Sequence, residues 1–395
     1  MKAKKYQEIY YPRSFMCLII LMALTQKKKI KNVKRTLIIN KINHNEYKNR
    51  TNRKIIDFFR DLLKDYFDDI CYVNFDSSLK IKKNFFFSSK SFILRTLAKS
   101  NSIKKNIKNL KNLKILKDNT VISKVYCGGD NFEGVLFDIL KDKPLFYFTE
   151  HGYGNLRDGI IYSPKIQNKI YNLILKFLYK FGFINFYPIQ YESYIGILSK
   201  NIKKKIFLNF NLVRSKINIL NALSVISKMS AFIEARKKIK KKKNYKYVFF
   251  NVSSLIVSKD KKDFESLLIK ISSIINKKNE CLLIKNHPSW RSPQTEKCLN
   301  EMKKFFKKEK IKYSYLEDDF LEKLPAELIV CLFKIKKVFS DMSSIPFFCS
   351  MIYKDVRCYV PLNYGIVNTS NKLHIKKDVA NKDFFYSMTK KVKFI

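Results

Sequence analysis

Glycine and proline are scarce, nine of each in 395 residues. That excludes collagen-like and low-complexity chains, and it makes the few glycines worth locating. Histidine is scarcer, at four, and tryptophan occurs once. Eight cysteines are present without a CxxC pair or zinc-type spacing. No disulfide framework is therefore expected, and a reducing compartment fits best. Cys71, Cys127, Cys281, Cys331 and Cys358 stand inside apolar runs, where a thiol behaves as a small hydrophobe. The GxGxxG, Walker A and GxSxG patterns are absent.

The apolar run near the start, FMCLIILMAL from Phe15 to Leu24, is ten residues long. It is too short to span a bilayer. Lys2, Lys4, Lys5 and Arg13 precede it, as in a signal peptide, but TQKKK follows in place of a small-residue cleavage site. The expectation is a first buried strand.

Acidic side chains number 33 against 80 basic ones, a formal net charge of +47. Such a surplus draws a chain toward nucleic acid or anionic membrane. Most of it is lysine, spread along the chain, in a composition rich in Lys, Ile, Asn, Phe and Tyr. That is the amino-acid signature of an AT-rich genome. The expectation is a loose attraction to anionic surfaces without dedicated nucleic-acid binding.

With 46% apolar residues, the chain can bury a sizeable core, and its length suits two domains. Short apolar runs ending in turn residues read as buried parallel strands. The first half offers RTLIIN from Arg35, ICYVNF from Ile70, ISKVYCGG from Ile122, PLFYFTEHG from Pro144 and KIFLNF from Lys205. Amphipathic stretches such as KIIDFFRDLLKDYF from Lys54 lie between them. After the basic run EARKKIKKKKNYK, Glu234 to Lys246, strands resume. They are YKYVFFNVSS from Tyr245, ECLLIKNHP from Glu280, IKYSYLED from Ile311, KKVFSDMSS from Lys336 and VRCYVPL from Val356. This alternation predicts an α/β chain of two Rossmann-like domains, over 1–235 and 245–375, facing a central cleft. A tail over 376–395 is expected to pack back on the first domain.

Open α/β sheets bind ligands beyond the carboxyl ends of their strands, so the residues just past each run are the candidates. FTEHGYGNLRDG concentrates three of the nine glycines and one of the four histidines. Glu150 there is placed to act as a general base, or it is a solvated strand-end residue. Gly152 and Gly154 permit turns that a side chain would block. His287 and Pro288 end ECLLIKNHP, with Lys285 and Arg291 raising the potential for a phosphate; many ordinary turns also contain such a dipeptide. Glu327 follows Pro325, and is either a dipole-compatible first-turn residue or an acceptor for a ribose diol. Ser343 and Ser344 precede an apolar helix, where serine caps and phosphate sites coincide. Asn251, Ser253 and Ser254 close a further strand. The acidic triplet Glu317 to Asp319 reads as a polar loop, and no metal constellation stands out.

An acidic-plus-glycine motif, then His-Pro, then Pro-x-Glu, then Ser-Ser, in this order, resembles the bacterial sialyltransferases. The similarity is greatest to the capsule polysialyltransferase group and its lipooligosaccharide relatives, and it covers roughly residues 120 to 365. The resemblance implies the glycosyltransferase-B arrangement and an inverting, metal-independent transfer from CMP-sialic acid, with no cofactor beyond that co-substrate. It implies Glu150 as base, His287 on the CMP phosphate, Glu327 on the ribose, and Ser343 with Ser344 on the phosphate. The family's second acidic position is His151 here, read as orienting Glu150 or sharing its proton. The implied partners are a nucleotide-sugar donor and a glycan acceptor. The implied place is the cytoplasm, with peripheral contact to the anionic inner membrane. Two rivals remain open: a related transferase using another CMP- or CDP-activated donor, and a non-enzymatic basic protein binding anionic membrane or nucleic acid.

Overall fold

The computed structural model describes residues 6–12, 14–25, 30–40, 59–73, 120–127, 132–140, 143–149, 165–185, 187, 189, 192–195, 211–212, 219–240, 246–252, 261–286, 293–316, 321, 324–340, 344–360 and 392–395. They form two units, Met1–Asn218 and Ile219–Ile395, each built on its own parallel sheet.

The first sheet holds β1 (Tyr6–Tyr11), β2 (Val33–Asn40), β3 (Asp69–Val73), β4 (Val121–Cys127), β5 (Leu145–Thr149), β6 (Ser193–Ile195) and β7 (Asn211–Leu212). Their order is β3-β2-β1-β4-β5-β6-β7, and every pairing is parallel. The order reverses between β1 and β4, the switch point of a doubly wound fold. Ile9, Ile38, Val125, Val135, Leu136 and Phe146 form the core on one face.

The expected first strand is instead a helix, α1 (Phe15–Thr25). The Ser14 hydroxyl accepts from Cys17 N at 3.1 Å and the Ser14 carbonyl from Leu18 N at 3.0 Å, which caps the helix. Met16 to Ala23 are all buried, so the run is apolar on every side, and periodicity cannot separate such a helix from a buried strand. The true first strand, YQEIYY, carries two buried polar residues. The Gln7 amide donates to Thr36 at 2.8 Å and accepts from Thr120 at 2.9 Å. The Glu8 carboxylate accepts from the Tyr10 hydroxyl at 2.6 Å and pairs with Lys124 at 3.4 Å. Above it, Tyr10, Tyr126 and Tyr147 stack across three strands at 4.7 and 5.0 Å. Burial and the Glu8 charge both push the Tyr10 phenol well up, so it stays protonated as the donor. Tyr10→Phe should lower the unfolding free energy of the first unit by about 2 kcal/mol, because a buried carboxylate loses a donor. Urea denaturation followed by far-UV circular dichroism checks this.

The second sheet holds β8 (Lys246–Val252), β9 (Glu280–Asn286), β10 (Tyr313–Tyr315), β11 (Lys337–Phe339), β12 (Arg357–Val360) and β13 (Val392–Phe394), in the order β10-β9-β8-β11-β12-β13. It repeats the plan of the first sheet, with its switch point between β8 and β11. The helices over Lys261–Ile274 and Pro293–Lys308 cover one face, packing Leu268, Ile271, Met302 and Phe306 on Val248, Phe250, Leu282 and Ile284. The helices over Ile219–Ser227 and Ser230–Lys240 group with this unit. The boundary therefore falls earlier than 235, and the start of the basic run is a helix end. β13 pairs with β12, so the last residues extend the second sheet.

The seven described cysteines are free thiols, five of them buried. Among the described residues no helix is long and apolar enough to cross a membrane.

Candidate functional site

Three of the sequence-predicted segments belong to neighbouring strands of the second sheet. β8 ends at Val252, directly before Ser253 and Ser254, and β9 ends at Asn286, directly before His287 and Pro288. Asn251 pairs with Lys285 and Val252 with Asn286 in register. β11, on the other side of β8, runs in register with it through Phe339 and Phe250. The next helix begins at Ser344. The described flanks of these segments thus share the carboxyl edge of one sheet, at its switch point, which is where doubly wound sheets take ligands. Ser253, Ser254, His287, Pro288 and Ser343 themselves lie outside the described residues.

Lys285 and Glu327 lie within them. Strand alternation puts Lys285 on the face opposite Leu282 and Ile284, away from the Leu268–Met302 core. On that opposite face sits the helix over Ala326–Phe333, anchored by the Tyr247–Phe333 ring contact at 5.5 Å. Pro325 precedes it in extended geometry, and Lys334 closes it in the left-handed region at φ 53°. The Tyr353 hydroxyl donates to the Glu327 carbonyl at 2.7 Å and ties down its first turn.

Both charged groups are buried, Lys285 at 2% exposure and Glu327 at 4%. The Lys285 ammonium donates to the Asn286 carbonyl at 3.2 Å. Burial pushes the Glu327 carboxyl up to about 7, against the opposing pull of its own backbone N–H and of the Lys285 charge. That is costly for a purely structural carboxylate. It suits a group completed by hydroxyl donors from a ligand. On the other face of the same strand end, the Asn286 side-chain oxygen is buried and has no hydrogen-bond partner among the described residues, a further acceptor at this end of the sheet.

In the first unit, β5 ends at Thr149, so Glu150 directly follows a parallel strand. Glu150, His151, Gly152 and Gly154 lie outside the described residues, as do Glu317 to Asp319. Thr149 is fully buried, and its hydroxyl also has no partner among the described residues. Sequence reasoning passed over Thr149 and Asn286, because nothing local distinguishes a satisfied strand-end hydroxyl or amide from an orphaned one.

No family model matches the chain, and no curated protein matches it. Solved structures do. UDP-GlcNAc 2-epimerase from Methanocaldococcus jannaschii is 14% identical at TM-score 0.48, over 95% of this chain and 92% of its own. A sialyltransferase from Photobacterium damsela is 9% identical at TM-score 0.41, over 99% and 81%. A heptosyltransferase from E. coli is 10% identical at TM-score 0.41, over 97% and 100%. Similarities this low assign nothing on their own. The fold class rests on the two parallel sheets and their repeated strand order.

Proposed function

We propose that the chain is a glycosyltransferase of the glycosyltransferase-B arrangement that takes a sugar from a CMP-activated donor, sialic acid in the favoured form, to a glycan hydroxyl. The supporting observation is the buried Glu327 carboxyl, with the Lys285 charge buried on the same face, near the carboxyl edge of the second sheet. A carboxylate held in a dry site with few donors of its own accepts readily from the two hydroxyls of a ribose.

In this reading the second unit binds the donor. Glu327 holds the ribose, and the Lys285 charge favours its ionised form. His287, Pro288, Ser343 and Ser344 meet the phosphate, while Asn251, Ser253 and Ser254 line the same edge. Sialic acid transfer proceeds through an oxocarbenium-like state at a hindered carbon that already bears a carboxylate. The departing CMP needs hydrogen-bond donors at its phosphate, which His287 and the two serines supply. The first unit supplies Glu150 as the base that deprotonates the acceptor hydroxyl, with His151 orienting it. Gly152 and Gly154 leave room for the acceptor sugar. Inversion and independence from metal follow from this division of roles. A peripheral contact with anionic inner membrane completes the reading.

The test is a donor screen on purified protein, following release of CMP, CDP or UMP with and without glycan acceptors. CMP release from CMP-sialic acid that rises with acceptor is the expected result. Release from a CDP-activated donor alone would move the assignment to the related transferases. No turnover of any nucleotide-activated donor would overturn it in favour of a non-enzymatic basic protein.

A further inference from the structure

Four large apolar side chains stand in solvent along one short segment of the first unit. α3, following α2 (Phe132–Ile139), spans Lys165–Lys180. Leu173, Phe177 and Phe181 recur every fourth residue and are 66%, 57% and 58% exposed; Phe183 adds 57%. That spacing makes one stripe on a helix. The Phe177 and Phe181 rings touch, with centroids 4.4 Å apart. Ten large apolar residues are exposed among the described residues, and four of them fall in these eleven positions. Scattered exposed apolar residues are ordinary, whereas a contiguous group marks a contact surface.

The stripe is not a core face turned the wrong way. Leu175, Leu178 and Tyr179, on the other side of α3, pack against the first core. The Tyr179 hydroxyl donates to Asp138 on α2, and its ring meets Tyr187 edge-on at 5.3 Å. The C-terminus is held by a Schellman turn: Phe183 N donates to Leu178 O at 2.8 Å and Gly182 N to Tyr179 O at 2.9 Å. Gly182 takes φ +72° there, a conformation that glycine adopts without strain. The buried side fixes the outer side in place.

Charge selects the partner. Lys176 and Lys180 are exposed within the patch. Between 165 and 183 the sequence has Lys165, Lys169, Lys176 and Lys180 and no Asp or Glu. We infer that this stripe is a docking surface for an anionic lipid bilayer. Phenylalanine and leucine enter the headgroup–acyl boundary, and the lysines lie against lipid phosphates. A second copy of the chain fits poorly, since a two-fold contact would bring Lys176 and Lys180 of both copies together in a protein already at +47. The inference gives a location to the membrane contact in the reading above, but it does not depend on the donor, and donor turnover is a separate readout.

The experiment is co-sedimentation with vesicles of phosphatidylcholine alone or mixed with phosphatidylglycerol. The full chain should bind the anionic vesicles at least ~10-fold more tightly than the neutral ones. The triple variant Leu173→Ser, Phe177→Ser, Phe181→Ser should lose roughly 10-fold or more. These side chains are exposed, so unchanged circular dichroism is expected. Lys176→Ser with Lys180→Ser should weaken binding severalfold, and added salt should shrink that difference. Failure of the full chain to bind, or equal binding by the triple variant, overturns the inference. So does a concentration-dependent dimer that the triple variant abolishes while vesicle binding is absent.

Discussion

Glu150→Ala and His287→Ala are each expected to cut donor turnover by roughly 10²–10⁴-fold while leaving the fold intact. The two losses have different chemical origins. With Glu150 as the proposed base, its loss leaves the acceptor hydroxyl protonated, so acceptor-dependent transfer should fall while slow donor hydrolysis survives. With His287 as the proposed donor to the departing phosphate, its loss should lower transfer and hydrolysis together. CMP release measured with and without acceptor separates the cases. His151→Ala should cost much less than Glu150→Ala. If the order were reversed, the imidazole would be the base and Glu150 its support. If Glu150→Ala and His287→Ala both turned over donor within a few-fold of the native chain, the assignment of these two strand ends would fail.

The strands that position these groups were legible because buried parallel strands are short apolar runs with turn residues behind them. β2, β4, β5, β8, β9 and β12 all answer to that rule. β1 escaped it, since Gln7 and Glu8 interrupt the apolar run and, among the described residues, are satisfied by Thr36, Thr120, Tyr10 and Lys124, none of them adjacent in sequence. α1 was misread for the opposite reason: it is apolar all round, and only Ser14 and the run's length marked it as a helix. The stripe on α3 was hidden because its helix is rich in apolar residues on both sides, and packing alone decides which side faces the core. Lys285 and Glu327 were each readable as candidates. The influence of the Lys285 charge on Glu327 is tertiary, as they stand 42 positions apart and share a face only because the helix at Ala326–Phe333 lies over the side of the sheet that Lys285 occupies.

The buried Glu327 carboxyl carries the second large effect, a dependence on pH. The Glu327 carboxyl is pushed up to about 7 from an ordinary 4.5 by burial. A group whose folded value lies above its unfolded value holds its proton longer in the folded state. Its contribution to stability is therefore complete below about pH 4.5, declines as pH rises to about 7, and is level above that. The loss across the window is roughly 3 kcal/mol. Glu327→Gln keeps the shape and cannot ionise, so its stability relative to the native chain should rise by most of that amount between pH 5 and pH 8. Ligand binding should run in the other direction. In the proposed reading ribose hydroxyls donate to the carboxylate, so CMP would select the charged form. About one molecule in ten is in that form at pH 6, and binding there should be roughly tenfold weaker than at pH 8. Each binding event at pH 6 should also release close to one proton from Glu327. Calorimetry in buffers of different ionisation enthalpy reads both quantities, with Glu327→Gln as the baseline that removes the titration of CMP itself. Lys285→Met takes away the charge that favours the ionised form, so its binding should strengthen only at higher pH. Native and Glu327→Gln proteins with the same pH slope and the same proton release would show that the carboxylate does not meet the nucleotide. The buried carboxyl would then be a structural one.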